Sequence, residues 1–452
     1  MPTPCYYIRN ANIVNEGSIY TGSVLIENGL ISKIVKDKEA IDLPIPPHAI
    51  VIDADGKYLF PGVIDDQVHF REPGLTHKAD IYTESKAAVA GGVTSFMDMP
   101  NTTPNAVSIN ILEEKYSLAA LKSLANYSFF LGATNNNIEE ILKADPEKIC
   151  GVKVFMGAST GNMLVDDEES LEKIFKEAKL LIAVHCEDEN IIKENIVAYQ
   201  NQYGENIPIA CHPLIRSEEA CYKSSLKAVG LAKKYNSRLH VLHISTAKEL
   251  DLFDNSIPLD LKRITAEVCI HHLWFCDEDY AEKGSLIKCN PAIKTKHDRE
   301  NLFIALLDGR LDIVATDHAP HLLEEKNNQY LKLPSGIPLV QHSLVAMLEF
   351  YHQKKISLEK IIEKMCHSPA VCYKIKNRGF IREGYHADIA LVDINDPWKV
   401  DKENILYKCG WSPFENFTFK SKVKKTFVNG RLIYDQGIFN EDLKGQRLVF
   451  ER

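Results

Sequence analysis

Short apolar runs alternate with longer amphipathic segments through the middle of this chain. Each run has the length of a buried β-strand, and the segments between them carry apolar residues at helical spacing. Strands that alternate with helices in this way predict a parallel α/β fold, and eight such units are what a TIM-type (β/α)8 barrel requires. The predicted strands are 63–70, 93–99, 127–131, 151–155, 181–185, 239–244, 264–270 and 311–316, and the predicted helices include 82–90, 109–120, 167–178, 218–234 and 298–307.

The two ends of the chain follow a different pattern, of short strands with turn residues between them. Asn28-Gly29 and Asn429-Gly430 are dipeptides that favour type I′ hairpin turns. We therefore expect both ends to build one small composite β-sandwich domain, with the barrel inserted between its parts. The predicted divisions are 1–57 for the N-terminal part, 58–380 for the barrel and 381–452 for the C-terminal part, with terminal strands at 6–14, 23–27, 31–34, 50–54, 388–393 and 423–428.

Composition and charge narrow the classes of function. The 452 residues are 45% hydrophobic and carry a net charge of -9, which does not provide the basic surface that a nucleic-acid binder needs. The longest apolar runs, such as 180–184, are too short to cross a membrane, and residues 1–13 lack the pattern of a signal peptide. The 11 cysteines include no CxxC pair, so we expect reduced thiols and a cytoplasmic protein.

Asp317 is the most informative polar residue. It follows an apolar run, 311–314, that is typical of a buried strand, and His318 and His321 come just after it. In a (β/α)8 barrel, the active site is built at the carboxyl ends of the strands. A carboxylate at that place can bind a metal or transfer a proton.

Other predicted strands carry polar residues near their ends. Gln67, His69 and Arg71 alternate onto one face of the first strand, which places Asp66 on the other face. The fourth strand holds Lys153 among apolar residues. A buried lysine has a lowered pKa, and its neutral amine can take up carbon dioxide to give a carbamate that bridges two metals. A lysine whose charged end reaches the barrel rim is the alternative.

The next two strands end in histidine. His185 closes the fifth strand, while His240 and His243 on the sixth face opposite ways, so we choose His243, which lies nearer the strand end. Any one of these residues could simply be packed. Five strands of one barrel that each supply a nitrogen or oxygen ligand instead predict a site for zinc or a similar cation. The predicted ligands are His69, Lys153, His185, His243 and Asp317.

Taken together, these motifs resemble those of the amidohydrolase superfamily and, within it, the class I-like dihydroorotase family. The similarity runs from about Gly62 to Asp393. The segments that carry it are Pro61-Gly62-Val63-Ile64-Asp65, His69-Phe70-Arg71-Glu72-Pro73-Gly74, Asp98-Met99-Pro100-Asn101-Thr102, Lys153-Val154-Phe155-Met156, His243-Ile244-Ser245-Thr246, Ala266-Glu267, Asn290-Pro291 and Thr316-Asp317-His318-Ala319-Pro320-His321.

The resemblance implies a binuclear zinc centre. His69 and Asp317 would bind one metal, His185 and His243 the other, and carboxylated Lys153 would bridge them. The implied reaction is the reversible cyclisation of N-carbamoyl-L-aspartate to L-dihydroorotate in de novo pyrimidine (UMP) biosynthesis. In the hydrolytic direction a metal-bound hydroxide would attack the ring amide, with Asp317 as general acid/base.

The resemblance also implies how the substrate is held. Its free carboxylate and ring would contact Arg71, Asn101, Asn290 and His321, because an arginine fork suits a carboxylate and amides suit ring N–H and C=O groups. Members of the family often form dimers or larger assemblies, so the resemblance also implies a homo-oligomer. A transcarbamoylase is a candidate partner.

Gln67 departs from the family pattern, which has a histidine there in a His-x-His pair. A neutral carboxamide is a poor zinc ligand beside imidazole, so Gln67 is a doubtful ligand. Whether each chain binds one zinc ion or two therefore stays open. Two other functions also stay open. One is another cyclic-amide hydrolase, such as an allantoinase or hydantoinase, and the other is a catalytically silent, dihydroorotase-like scaffold subunit.

Overall fold

A computed structural model describes residues 4–36, 45–157 and 163–452. Within them the strands are β1 Tyr6–Asn15, β2 Ser18–Glu27, β3 Leu30–Lys36, β4 Ile50–Asp53, β5 Tyr58–Pro61, β6 Val63–Val68, β7 Val93–Asp98, β8 Asn126–Phe129, β9 Leu131–Gly132, β10 Val152–Phe155, β11 Ile182–His185, β12 Leu239–Val241, β13 Ile264–Cys269, β14 Ile313–Ala315, β15 Ile389–Asp393, β16 Trp398–Lys399, β17 Thr418–Phe419, β18 Lys422–Val428, β19 Arg431–Asp435 and β20 Ile438–Phe439. The helices are α1 Ile81–Ala90, α2 Ile109–Lys122, α3 Ile138–Lys143, α4 Glu168–Glu177, α5 Glu189–Tyr203, α6 His212–Ile215, α7 Glu218–Tyr235, α8 Ile270–Trp274, α9 Tyr280–Lys283, α10 Lys296–Asp308, α11 Ser343–His352, α12 Leu358–Ile362 and α13 Ser368–Tyr373.

The strands β6 to β14 form a parallel barrel. One run of paired strands has the order β6-β7-β8 and the other the order β9-β10-β11-β12-β13-β14. The two runs join at Phe130, the single residue between β8 and β9. They meet again where Val68 bridges to His318 and the His69 backbone N–H donates to the His318 carbonyl at 2.7 Å. Because β8 and β9 act as one broken strand, the described residues make an eight-stranded closed barrel.

The layer between the barrel strands and the surrounding helices is apolar, and the helices begin where the sequence offers a capping residue. Asp80 caps α1, Ser217 caps α7 and Thr295 caps α10, each by accepting a hydrogen bond from the backbone N–H three residues on. Such caps satisfy backbone N–H groups that the first helical turn leaves free. The barrel strands and the helices packed around them share one continuous cluster of buried side chains.

The two chain ends share one nine-stranded sheet. Its order is β20-β19-β18-β15-β5-β1-β2-β3, with β4 paired to β1. The two chain ends are joined by the antiparallel pairing of β5 with β15, in which Leu59 lies opposite Leu391. This sheet includes β5, Tyr58–Pro61, which lies on the barrel side of the predicted boundary at residue 57; the boundaries themselves stay a prediction.

The two predicted hairpin turns have the backbone that their sequences favour. Asn28 and Gly29 have φ of 52° and 84°, and Asn429 and Gly430 have φ of 52° and 70°. All four values are positive, as a type I′ turn requires. The two turns touch each other, since a Cβ on Gly430 would lie 2.5 Å from the Gly29 Cα. The turns therefore help to join the N-terminal and C-terminal parts of the sheet.

The predicted strands and helices of the barrel are all present, with ends that shift by a few residues. In the described part of the chain, no helix combines the length and the apolar character needed to cross a membrane.

Candidate functional site

A cavity of about 360 Å³ opens at the carboxyl ends of the barrel strands. Its walls contain every residue that the sequence nominated for the site, from loops and strands that are far apart in the chain. The nominated residues that line it are Gln67, His69, Arg71, Asn101, Lys153, His185, His243, Asn290, Asp317 and His321.

Two histidines face each other across one side of the cavity. His185 Nδ1 lies 3.0 Å from His243 Nε2, and His185 Nε2 lies 3.0 Å from Glu187 Oε2. A proton on Nε2 of His185, donated to Glu187, leaves a lone pair on Nδ1, which faces His243 Nε2 across the cavity. Burial lowers the pKa of both histidines, and that of His243 falls well below its ordinary value. Both imidazoles are therefore neutral, as a metal ligand must be.

His243 reaches the cavity through an unusual backbone. The strand β12 ends at Val241, and His243 has a φ of 40°. A positive φ is costly for a residue with a side chain. The Glu267 carboxylate accepts the His243 backbone N–H at 3.1 Å, and this bond helps to keep the turn in place.

Glu187 connects the histidine pair to a residue that the sequence did not nominate. Arg216, in the loop before α7, makes a short contact with the same Glu187 oxygen that His185 contacts. Burial alone would raise the pKa of Glu187, but Arg216 and His185 lower it to about 2. A permanent carboxylate behind a ligating histidine orients the ring and makes it a stronger ligand.

Lys153 lies on β10, beside the strand that ends in His185. Its side chain is 1% exposed, so the alternative of a lysine that extends to the barrel rim is wrong. Burial lowers the pKa of Lys153 to about 8, against the opposing effect of Asp317 and Glu267. A fraction of neutral amine is thus present near neutral pH, which is the form that can be carboxylated.

Asp317 faces the other end of the cavity. Its Oδ1 lies 3.0 Å from His69 Nε2 and accepts a hydrogen bond from Gln67 Nε2 at 3.2 Å. Asp317 has a φ of 47°, which turns the carboxylate away from the direction of β14. His69 Nδ1 in turn lies 2.8 Å from Asn101 Oδ1.

Arg71 and His321 line another part of the cavity. Arg71 Nη2 lies 3.1 Å from His321 Nε2, and Arg71 Nε donates to the Pro320 carbonyl at 3.1 Å. Burial lowers the pKa of both groups, and the neighbouring positive charges lower that of His321 further. The remaining N–H groups of the guanidinium are suited to an anionic ligand. Asn290 faces the same space, and its buried Oδ1 has no hydrogen-bond partner among the described residues.

The segment 322–334 follows His321, and its polar, lysine-containing sequence predicts a mobile loop over the site. In the structure this segment lies beside the cavity. Tyr330, Leu333 and Pro334 line it. Two buried lysines hold the loop: Lys326 donates to the Lys288, Pro334 and Gly336 carbonyls, and Lys288 donates to those of Tyr330 and Leu333. Mobility of this loop stays a prediction.

Sequence reasoning missed several lining residues. Arg216, His212, Lys288 and Tyr330 all contact the cavity, but they lie in loops and short helices far from any strand end. The only available signal was their type, since buried arginine and lysine are rare without a role.

Among the residues that the structure describes, two further groups of buried ligand-type side chains lie outside the nominated set. One is Asp66, His240 and Glu267, and the other is Cys269, His271 and His272. His240 Nε2 lies 3.3 Å from Asp66 and 3.1 Å from Glu267. Burial lowers the pKa of His240, but hydrogen bonds to these groups outweigh burial and raise it well above its ordinary value. The first group is thus a buried, hydrogen-bonded cluster of one histidine and two acidic side chains, and none of the three lines the cavity.

The cavity residues that could hold a metal divide into two sets. The neutral pair His185 and His243, with Lys153 nearby, fits a zinc ion by donor type and by the 3.0 Å approach of two ring nitrogens. At the other end, Gln67 directs an N–H group toward the Asp317 oxygen that a metal would need. That donor does not fit a cation.

Comparison with known proteins places the fold and the family. The amidohydrolase family model matches residues 58–433. The dihydroorotase of Pyrococcus abyssi is 32% identical over 96% of both chains, and the allantoinase of Desulfitobacterium hafniense is 30% identical over 95% of both. The L-hydantoinase structure from Arthrobacter aurescens superposes with a TM-score of 0.90 at 24% identity, and it covers 97% of each chain.

An α/β-barrel hydrolase is thus the class that the fold and the cavity define. The chain belongs to the amidohydrolase family. The predicted fold class, a (β/α)8 barrel with a small β-domain from both chain ends, is confirmed. The resemblance to dihydroorotases is confirmed as well, because relatives of that name match nearly the full length.

Proposed function

We propose that this protein is a dihydroorotase, a cyclic-amide hydrolase that interconverts N-carbamoyl-L-aspartate and L-dihydroorotate in pyrimidine biosynthesis. The observation that carries the proposal is the arginine wall of the cavity. Arg71 is 6% exposed and lies beside His321, in the cavity that the two neutral histidines also line. A buried guanidinium needs an anionic partner, and the free carboxylate of dihydroorotate supplies one.

The ring of the substrate fits the polar groups between these walls. Asn290 Oδ1, which has no hydrogen-bond partner in the described part of the chain, can accept a ring N–H. Asn101 lies beside His69, where its amide can contact a ring carbonyl. With the carboxylate on Arg71, the amide to be cleaved would lie between Asp317 and the histidine pair.

His185 and His243, with Lys153, would hold a zinc ion that polarises the ring carbonyl and activates water. Asp317 is the proton carrier: it takes a proton from the attacking water and returns it to the ring nitrogen as the amide bond breaks. In the cyclisation direction the same carboxylate performs these transfers in reverse. Its hydrogen bonds with His69 and Gln67 fix the direction in which the carboxylate points.

Another cyclic-amide hydrolase is the second candidate, because an allantoinase is among the relatives at 30% identity. Its substrate carries no carboxylate, and the hydantoins and dihydropyrimidines need none either. A silent scaffold subunit is a third candidate, supported by Gln67 alone. The complete histidine pair and Asp317 favour an active enzyme.

The deciding experiment compares two substrates that differ only in the carboxylate. Zinc-supplied protein should hydrolyse L-dihydroorotate far better than 5,6-dihydrouracil, and Asp317→Asn should abolish turnover. Preference for dihydrouracil or allantoin would move the assignment to another cyclic amide. Bound metal without turnover of any cyclic amide would favour the scaffold.

Arg71→Gln tests the carboxylate wall directly. A charge-assisted hydrogen bond contributes about 1.5–3 kcal/mol, so kcat/KM for dihydroorotate should fall roughly 10- to 150-fold. The slow turnover of dihydrouracil should change little. Equal losses for both substrates would show that Arg71 does not bind the carboxylate.

We further propose a cytoplasmic homo-oligomer. A transcarbamoylase is an optional partner. Size-exclusion chromatography with light scattering tests the first point, and co-elution with a purified transcarbamoylase tests the second.

A further inference from the structure

Gln67 stands where the family resemblance implies a histidine ligand, and its surroundings fix which way its carboxamide points. The side chain is 1% exposed on β6. Its Nε2 donates to Asp317 Oδ1 at 3.2 Å, and its Oε1 lies 3.7 Å from the Cys269 Sγ, which donates to it.

The reverse orientation of this amide is unfavourable, because it would put Oε1 against the acceptor-only Asp317 carboxylate. The observed orientation also lets Oε1 accept a hydrogen bond from the Cys269 thiol, which can donate to Glu267 Oε1 as well. The orientation with the amide nitrogen toward Asp317 is therefore the stable one.

An amide nitrogen at this place opposes a cation. A metal bound to Asp317 Oδ1 and His69 Nε2 would have to approach an oxygen that already accepts the Gln67 N–H. The partial positive charge of that N–H repels the ion, and the amide nitrogen has no lone pair to offer it. Gln67, His69 and Asp317 form a closed hydrogen-bond cluster instead.

The opposite end of the cavity has none of these features. His185 Nδ1 and His243 Nε2 approach to 3.0 Å, and Glu187 fixes the tautomer of His185 from behind. Among the described residues, His243 Nδ1 has no hydrogen-bond partner, so that ring is free to rotate slightly toward an ion.

We propose that this chain holds a single metal ion, at His185 and His243 with Lys153, and that residue 67 is what excludes the second ion. The inference rests on the proposed metal-dependent function and specifies its metal centre. Asp317 then carries protons as a free carboxylate held by two side-chain hydrogen bonds, and Lys153 has no second metal to bridge.

The test is metal content in three full-length proteins. Each is purified, supplied with excess zinc, desalted and measured by inductively coupled plasma mass spectrometry. We expect about one zinc per chain in the unmodified protein, about two in Gln67→His, and loss of the zinc in His185→Gln. Circular dichroism confirms that each variant is folded.

Cobalt substitution gives a second readout that does not depend on activity. A lone Co²⁺ ion in the unmodified protein should show a full paramagnetic resonance signal. In Gln67→His, two neighbouring ions should couple and weaken the signal per cobalt.

Each alternative result has a distinct meaning. Two zinc ions in the unmodified protein would overturn the inference while leaving the proposed function intact. One ion in both the unmodified protein and Gln67→His would refute the role of residue 67. A zinc content unchanged by His185→Gln would refute the location. No zinc in any protein, with no turnover of dihydroorotate, would refute the proposed function itself.

Discussion

A buried ion pair beneath the cavity leads to a sharp prediction about stability. Lys115 on α2 lies 2.5 Å from Asp98 at the end of β7, and both side chains are 1% exposed. Lys115 also donates to the Met99 carbonyl at 2.9 Å, and the other Asp98 oxygen accepts the Phe70 backbone N–H at 2.8 Å. The pair thus holds the segment between His69 and Arg71.

Replacing Lys115 with methionine keeps the volume and removes the charge. Asp98 would then be a buried carboxylate without the cation that pairs with it directly, and a change of that kind costs about 3–5 kcal/mol. The matched control is Lys227→Met, because Lys227 pairs with Glu168 at 3.0 Å on the surface, where the side chains are 45% and 83% exposed. An exposed pair contributes less than about 1 kcal/mol.

Urea unfolding, followed by tryptophan fluorescence, measures both variants against the unmodified protein. We expect Lys115→Met to unfold at a much lower urea concentration and Lys227→Met to be almost unchanged. Adding Asp98→Asn to Lys115→Met should recover part of the loss, because the amide leaves no buried charge and keeps an oxygen for Phe70. Equal losses in the two lysine variants, or a double variant weaker than Lys115→Met, would refute this reasoning.

Three further predictions concern other parts of the molecule. Gly430→Ala should destabilise more than Gly17→Ala: the φ values are 70° and 72°, but a new Cβ meets Gly29 at 2.5 Å only at position 430, so equal midpoints of thermal unfolding would contradict the contact between the turns. Glu187→Gln should lower the affinity for zinc about 10- to 100-fold in a chelator competition, because the hydrogen-bond partner of a metal-ligating histidine typically contributes that much to metal affinity. An unchanged affinity would contradict the role of Glu187 behind His185. Burial lowers the pKa of Lys326 to about 7, so between that pH and the ordinary lysine pKa the unfolded chain binds one proton more than the folded chain, and stability rises with pH. The unfolding free energy of the unmodified protein minus that of Lys326→Met should therefore increase from pH 7 to 9. A difference that does not change with pH would refute the shift.

The barrel could be predicted because its strands are apolar runs of the right length, and the carboxyl ends of parallel strands meet at one place. That rule brought His185 and Asp317 to the same cavity although they are far apart in the chain. Alternation along a strand was less reliable. β6 ends at Val68, and Arg71 reaches the cavity through a backbone with a φ of 66°, not by extending the strand.

Alternation placed Asp66 on the face of the strand opposite Gln67, but it could not say what the Asp66 side chain contacts. The pairing of β6 with β7 shifts register between Asp65 and Val68, and such an irregularity breaks simple alternation. Asp66 therefore points into the barrel interior, where it contacts His240. Arg216 and Lys288 could not be foreseen, because loops bring them to the cavity and a loop has no periodicity.

The shared terminal sheet has a consequence for how the protein is made. β5 pairs with β1 on one side and with β15 on the other, yet β15 follows it by more than three hundred residues. At the usual pace of roughly 5–20 residues per second, a ribosome needs on the order of 15–65 s to supply that partner. Until then the open edge of β5 is available to other chains, which is the hazard of an exposed edge strand. The risk of aggregation is therefore greatest while the chain is being synthesised on crowded polysomes, before β15 has been added, and smaller once the protein is complete.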